Sequence, residues 1–473
     1  MKTSTALMRR SGAVLAAALL AACTTLAPDY QRPAAAVPSK WPQSVEGITP
    51  AGSPIVEQPW REVFLEPRLR SVIERALANN RDLRVAAINV ATAQARYRVE
   101  RADRLPALDA DASASARRLP ADLSGSGEAA ISRQYGASIG VTAWELDLFG
   151  RIRSLEQQAL QTYFATEEAQ RSTRVGLVAA VADAWLALAA DRSLLALAQR
   201  TLDTQQQTLA ITRRSFELGV SSRLAVSQIE TTVARARADV ASQTAEVAKD
   251  RHALALLVGD AIDEAWLPGG LDDTDGALLA RVPAGLSSDV LTRRPDVMQA
   301  EHQLIAANAN IGAARAAFLP RISLTAATGT ASSSLDSLFE AGQRSWSFVP
   351  TINLPIFDAG ALAASLDIAE LQRDSAVASY DKAIQVAFRE VADALADQAT
   401  IGERLDAGEQ LLAAAQDSYR LSEARTRNGV DSHLSLLDAQ RTLYGAEQEL
   451  IATRLAEASN RVALVKALGG GWQ

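Results

Sequence analysis

The chain has 473 residues, room for two or three ordinary domains if it were globular. A formal net charge of −7 and the lack of any basic tract argue against nucleic acid as a partner. One cysteine excludes an internal disulfide framework, and the only histidines, His252, His302 and His433, are too scattered to suggest a metal site.

The chain opens MKTSTALMRRSGAVLAAALLAAC. Lys2, Arg9 and Arg10 precede a short apolar run over 11–22, the pattern of an export signal and too short for a spanning helix. Leu20-Ala21-Ala22-Cys23 has the form of a lipobox, in which Cys23 becomes the acylated first residue of the mature protein. The plainer alternative is a buried thiol after an ordinary signal. Removing residues 1–22 takes the net charge from −7 to −10, because they carry three cations and no acid. Past them there is no run of 18 or more apolar residues, so no transmembrane helix is expected.

From about 67 to 104 an Ala-rich helical run is predicted, ended by Leu105-Pro106 because proline disfavours the helical conformation just before it. The stretch 81–108 lies without a gap over 295–322, matching Asp82 with Asp296, Arg101 with Arg315 and Leu105-Pro106 with Leu319-Pro320. Gly219 and Gly259 recur as Gly429 and Gly469, 210 positions later. A period this long is no solenoid unit; it reads as a duplicated half-protein. The order is a lipidated segment (23–66), a first repeat (67–291) and a second repeat (292–473).

Each repeat carries two alternating segments read as strands, about 107–118 and 134–146, then 321–331 and 345–356. Alternation is clearest in the last, where Trp346, Phe348, Pro350, Ile352, Leu354 and Ile356 share one face. It is poorest in the first, whose apolar residues after Leu108 are all small. Polar Gly/Ser-rich loops lie around 119–133 and 332–344. No proline then occurs from 121 to 267, or from 356 to the end. Helical hairpins follow over about 150–258 and 358–468, and each first helix has about 70 residues, on the order of 100 Å. Leu177, Val181, Ala184, Leu188, Leu195, Ala198 and Leu202 form a narrow seam interrupted at Asp191, and Ile384, Phe388, Val391 and Leu395 begin another. Ordinary coiled-coil packing accounts for these stripes.

Segments of 10–13 alternating residues suit tilted strands crossing an outer membrane. Four strands cannot close a barrel, and an open edge in lipid leaves backbone groups unpaired, so the chain is expected to oligomerise. A conducting lumen favours 12 strands from three copies over 8 from two. The expected fold class is therefore mainly α with membrane β. It is an internally duplicated chain with four transmembrane strands and very long periplasmic helices. The trimer forms a 12-stranded β-barrel continued by an α-helical barrel.

Four stretches, APDYQRP (27–33), PWREVFLEPRLRSVIERALANNRDLRVAA (59–87), RRPDVMQAEHQLIAANANIGAARAAFLPRISL (293–324) and NGVDSHLSLLDAQRTLYGAEQELI (428–451), resemble the outer-membrane factor family. These are TolC-like ducts of efflux pumps and type I secretion systems, and the likeness is to the lipoprotein, NodT-type or OprM-like branch. The resemblance implies a homotrimer in outer-membrane lipid, a periplasmic adaptor (membrane fusion protein), an inner-membrane transporter, and no cofactor beyond the lipid on Cys23. Thr24 and Thr25, with no Asp after Cys23, fit sorting to the outer membrane.

No Gly-rich phosphate loop or nucleophile elbow is present, and no enzyme chemistry is expected. The candidate functional residues lie at the hairpin tips. Gly219 and Gly429 can take the left-handed conformation that ends a helix, and Asp431 or Ser432, like Ser221 or Ser222, can cap the next. By resemblance, Leu434 and Asp438 belong to a pore-facing helix near a closed periplasmic end, as a leucine constriction and a carboxylate ring. Spacing alone makes Asp438 a solvated acid two turns into a helix. The first repeat has Gln228 at that position, so three carboxylates are expected, not six. The expected function is a passive efflux duct. Its rivals are a duct for protein or polysaccharide secretion and a coiled-coil envelope spacer without a pore.

Overall fold

A computed structural model describes residues 25–34, 37–38, 41, 59–125, 127–271 and 288–470. The signal segment 1–22, Cys23 and Thr24 lie outside the described residues. In chain order the elements are α1 (Trp60–Val63), α2 (Pro67–Asn79), α3 (Arg81–Ala102), β1 (Asp109–Leu119), β2 (Ala130–Glu145), α4 (Arg151–Glu217) and α5 (Arg223–Val258). There follow α6 (Pro295–Ala316), β3 (Arg321–Ser332), β4 (Arg344–Asn353), α7 (Ala361–Arg427) and α8 (His433–Ala467). Contacts gather the chain into two compact units, each drawing on both sequence repeats.

The first unit takes residues 25–34, Asn89–Thr166 and Gln299–Tyr380. Its centre is one antiparallel sheet in the order β1-β2-β3-β4, which leaves β1 and β4 as open edges. Pairing runs from Asp109↔Gly140 to Leu119↔Ala130, and from Arg321↔Asn353 to Thr330↔Arg344. Between β2 and β3 the register shifts at Val141/Trp144, a bulge holding Ala143 at φ 51°. Trp346, Phe348 and Ile352 share one exposed face with their β3 partners Thr328, Ala326 and Ile322. β4 is shorter than alternation implies: β3 begins only after Pro320, so nothing remains to pair beyond Asn353, and Leu354 and Ile356 fall outside the strand.

Beside the sheet, residues 25–34 run as an extended strap along α6. Thr25 Oγ1 lies 2.8 Å from Ser154 Oγ, and Asn308 donates to the Pro28 carbonyl at 2.7 Å. Arg32 grips the buried Glu301 carboxylate with two bonds of 2.7 and 2.8 Å, and Tyr30 donates to it at 3.1 Å. Gly312 makes the groove: a Cβ there would lie 2.6 Å from Ala27 N.

The second unit takes the described parts of Ala35–Ile88, Glu167–Met298 and Asp381–Gln473. The predicted single run 67–104 is here two helices, because Asn80 stops α2 and restarts α3. Its side-chain oxygen accepts from Leu83 N at 2.9 Å while its amide donates to the Leu257 carbonyl at 2.8 Å. The buried stripe of α4 is also broader than the predicted seam. Val178, Ala182, Trp185, Leu186 and Ala189 are buried as well as Leu177, Val181 and Leu188. Extra neighbours explain this: Trp185 donates to the Trp266 carbonyl at 3.0 Å, and Arg68 sits over its ring. Phe388, assigned to the second seam, instead stacks on Trp41 with centroids 4.6 Å apart. By length and composition α4 could cross a membrane, contrary to the sequence criterion, yet 61% of its most apolar window is buried inside the protein. At the far end of α8, the guanidinium of Arg294 joins Asp296 at 3.0 and 2.7 Å, Glu390 at 2.8 Å and the Ala467 carbonyl.

Two aspartates in this unit are held protonated more readily than usual. Burial pushes Asp183 up to about 6, against the opposing hydrogen bond of Ser459 and the positive charge of Lys466. Burial, then the neighbouring carboxyl of Asp191, pushes Asp250 up to about 6, with Glu246 adding to it. The folded chain thus binds these protons more tightly than the unfolded one. Their contribution to stability is greatest at low pH, falls as pH climbs from 3.8 to about 6, and is flat above that. The melting-temperature difference between parent and Asp250→Asn should therefore widen in the variant's favour from pH 4.5 to 7.5; a pH-independent difference would disprove the assignment.

Candidate functional site at the hairpin tips

Both tips, in the second unit, use the same local chemistry. At the end of α4, Gly219 has φ 78°, its N–H bonds the Phe216 carbonyl at 2.9 Å, and Val220 N–H reaches back to Ser215 at 2.9 Å. At the end of α7, Gly429 has φ 72°, with Gly429 N–H on Thr426 at 3.0 Å and Val430 N–H on Arg425 at 2.9 Å. These are paired Schellman closures, which need the left-handed glycine. The following helices are capped by the second of the two candidates in each case. Ser222 Oγ accepts from Ala225 N at 3.1 Å and Ser432 Oγ from Ser435 N at 3.4 Å. Asp431 is not the cap; its carboxylate takes a 2.8 Å bond from Arg425 Nε and so ties the turn to the end of α7.

Behind the tips the two hairpins meet. Ile229, Val233 and Leu437 form a small buried cluster, with Leu202 and Leu209 against it. A polar chain lies alongside: Thr232 Oγ1 donates to Gln205 Oε1 at 2.9 Å, and Gln205 Nε2 donates to Gln440 Oε1 at 2.9 Å.

On α8 this packing uses Leu436, Leu437 and Ala439, which are buried. Leu434 and Asp438 lie on the uncovered side. Leu434 is 60% exposed, and the Asp438 side chain is 72% exposed. Two residues missing from the sequence reading join them. Arg441 Nη1 stands 3.6 Å from Asp438 Oδ1, so the acid is partly compensated on its own helix; the spacing of three was the available signal. Leu224 is the first repeat's counterpart of Leu434, five residues past its glycine, and is 68% exposed. The offset that pairs the glycines would have found it. Among the described residues no group of His, Cys, Asp and Glu is placed to hold a metal ion.

The model of the outer membrane efflux protein family matches residues 72–260 and again 286–470. The chain belongs to this family. This efflux protein is 50% identical over 461 residues to the toluene efflux pump outer membrane protein TtgC of Pseudomonas putida, spanning 96% of this chain and 94% of the relative. It is 40% identical over 452 residues to the cation efflux system protein CusC of Escherichia coli O157:H7, at 95% and 96% coverage. Among solved structures it resembles the open state of the Neisseria gonorrhoeae MtrE outer membrane channel. There the TM-score is 0.85 and the identity 37%, over 95% of this chain and 99% of the other.

Proposed function

We propose that three copies of this efflux protein pool their sheets into a closed 12-stranded barrel and line a continuous duct. As a member of its family the chain is an outer-membrane channel component of an efflux system. The observation that carries the trimeric reading is the sheet: four strands, two unpaired edges and one exposed apolar face cannot stand alone in lipid. Joining β4 of one copy to β1 of the next removes every edge. The long helices then serve as the periplasmic wall, with both tips at its mouth and Leu434, Asp438 and now Leu224 near its constriction. A lipid on Cys23 anchors the chain. A periplasmic adaptor and an inner-membrane transporter complete the tripartite assembly and supply the energy.

Relatives of 40% to 50% identity bear names with cargo as different as toluene and cations, which supports efflux over secretion and a duct that leaves cargo choice to its partners. The test is direct. Purified protein should migrate as a heat-sensitive trimer and give stepwise single-channel current in planar bilayers. A monomer, or a trimer without current, would favour the envelope spacer.

A further inference from the structure

We propose that Arg118, Arg133 and Arg344 form a phosphate-binding rim on the apolar face of the sheet, fitted to a phosphorylated lipid headgroup such as diphosphoryl lipid A. The proposal rests on the reading of that face as the wall of a membrane barrel. Successive strand residues point to opposite faces, so the register sorts every side chain. Arg344 is in phase with Trp346, Phe348 and Ile352 and pairs with Thr330. Arg133 pairs with Ala116, and Arg118 with Ile131, all on that same face. All three lie toward the loop-joined ends of their strands. At the opposite end Arg321 falls on the other face, as does Arg117. So do all strand carboxylates, Asp109, Asp111 and Glu145.

The apolar face therefore has cations at one end and no strand anion anywhere. The three arginines are exposed, and none has an ion-pair partner among the described residues. Arg118 and Arg133 are diagonal neighbours, on the order of 7–8 Å apart along the strand pair. Two like charges so placed repel each other unless an anion lies between them. A guanidinium fork matches phosphate oxygens bidentately, and its stem lies easily along an apolar surface. On a barrel wall arginine is tolerated best at the interface, the depth at which headgroup phosphates sit.

The experiment counts diphosphoryl lipid A retained by the full-length protein in non-ionic detergent, using native mass spectrometry. The parent should retain it in preference to phosphatidylcholine. Arg118→Gln with Arg133→Gln should lower retention about tenfold, while Arg117→Gln, on the other face, should not. Heat-sensitive trimer migration checks assembly, and Arg344→Gln alone, expected to give a partial loss, keeps the test open if the double variant does not assemble. Equal retention of phosphatidylcholine, unchanged retention in both rim variants, or displacement by equimolar inorganic phosphate would overturn the proposal. Parent conductance in neutral bilayers is read in parallel; its absence would sink the duct reading alone.

Discussion

Arg294→Met should destabilise the folded chain by about 3 kcal/mol, the low end for breaking a buried ion pair. The Arg294 side chain is only 7% exposed, and it spans Asp296, Glu390 and the last carbonyl of α8, that of Ala467. Without it two carboxylates, each still 35% exposed, face one another uncompensated. Partial exposure is why the low end applies. Lysine would restore the charge but not the fork, and should recover only part of the loss. Adding Asp296→Asn and Glu390→Gln to Arg294→Met should recover more, since the orphaned charges are then gone. Denaturation midpoints at one protein concentration read all three. A Met variant as stable as the parent would show that the cluster contributes nothing.

Leu434→Ala should raise single-channel conductance several-fold, and Asp438→Ala should turn cation preference toward anions. A ring of exposed leucines narrows and dries a pore, so trimming it widens the wet path. In the proposed trimer Leu224, 68% exposed, would give the first hairpin a second such ring, and Leu224→Ala should add to the effect. Asp438 differs, because Arg441 lies 3.6 Å away on the same helix. In the proposed trimer, removing the acid would not leave a neutral ring; it would leave three arginines. Both residues are exposed, so stability should change by no more than about 0.5 kcal/mol. Planar-bilayer recordings with a salt gradient decide it, and unchanged conductance with unchanged ion preference would reject the constriction.

Much of the fold could be read in the chain because its signals are local. Gly219 and Gly429 end helices through their own backbone, so their 210-residue echo needed no tertiary knowledge. β4 alternates plainly between Trp346 and Ile352 because one face is apolar. β1 was fainter, its apolar face holding no apolar side chain larger than alanine opposite a face led by Asp and Ser, and only pairing with β2 defines it. What escaped the sequence depends on distant partners. Asn80 breaks a helix because Leu257 waits for its amide. Ser432 rather than Asp431 caps α8 because Arg425 claims the acid. The breadth of the α4 stripe came from Trp266, far away in sequence.

The two open edges of the sheet have a kinetic consequence. A lone copy can fold its strands but cannot enter lipid with unpaired donors and acceptors. Entry and assembly must then be one event, and its rate should climb faster than linearly with the number of chains at the membrane. An anchor that confines chains to a surface raises their encounter rate before any strand is buried. On that account the lipid proposed for Cys23 would act as a crowding device as well as a tether, and a Cys23→Ser variant should slow insertion most when expression is low.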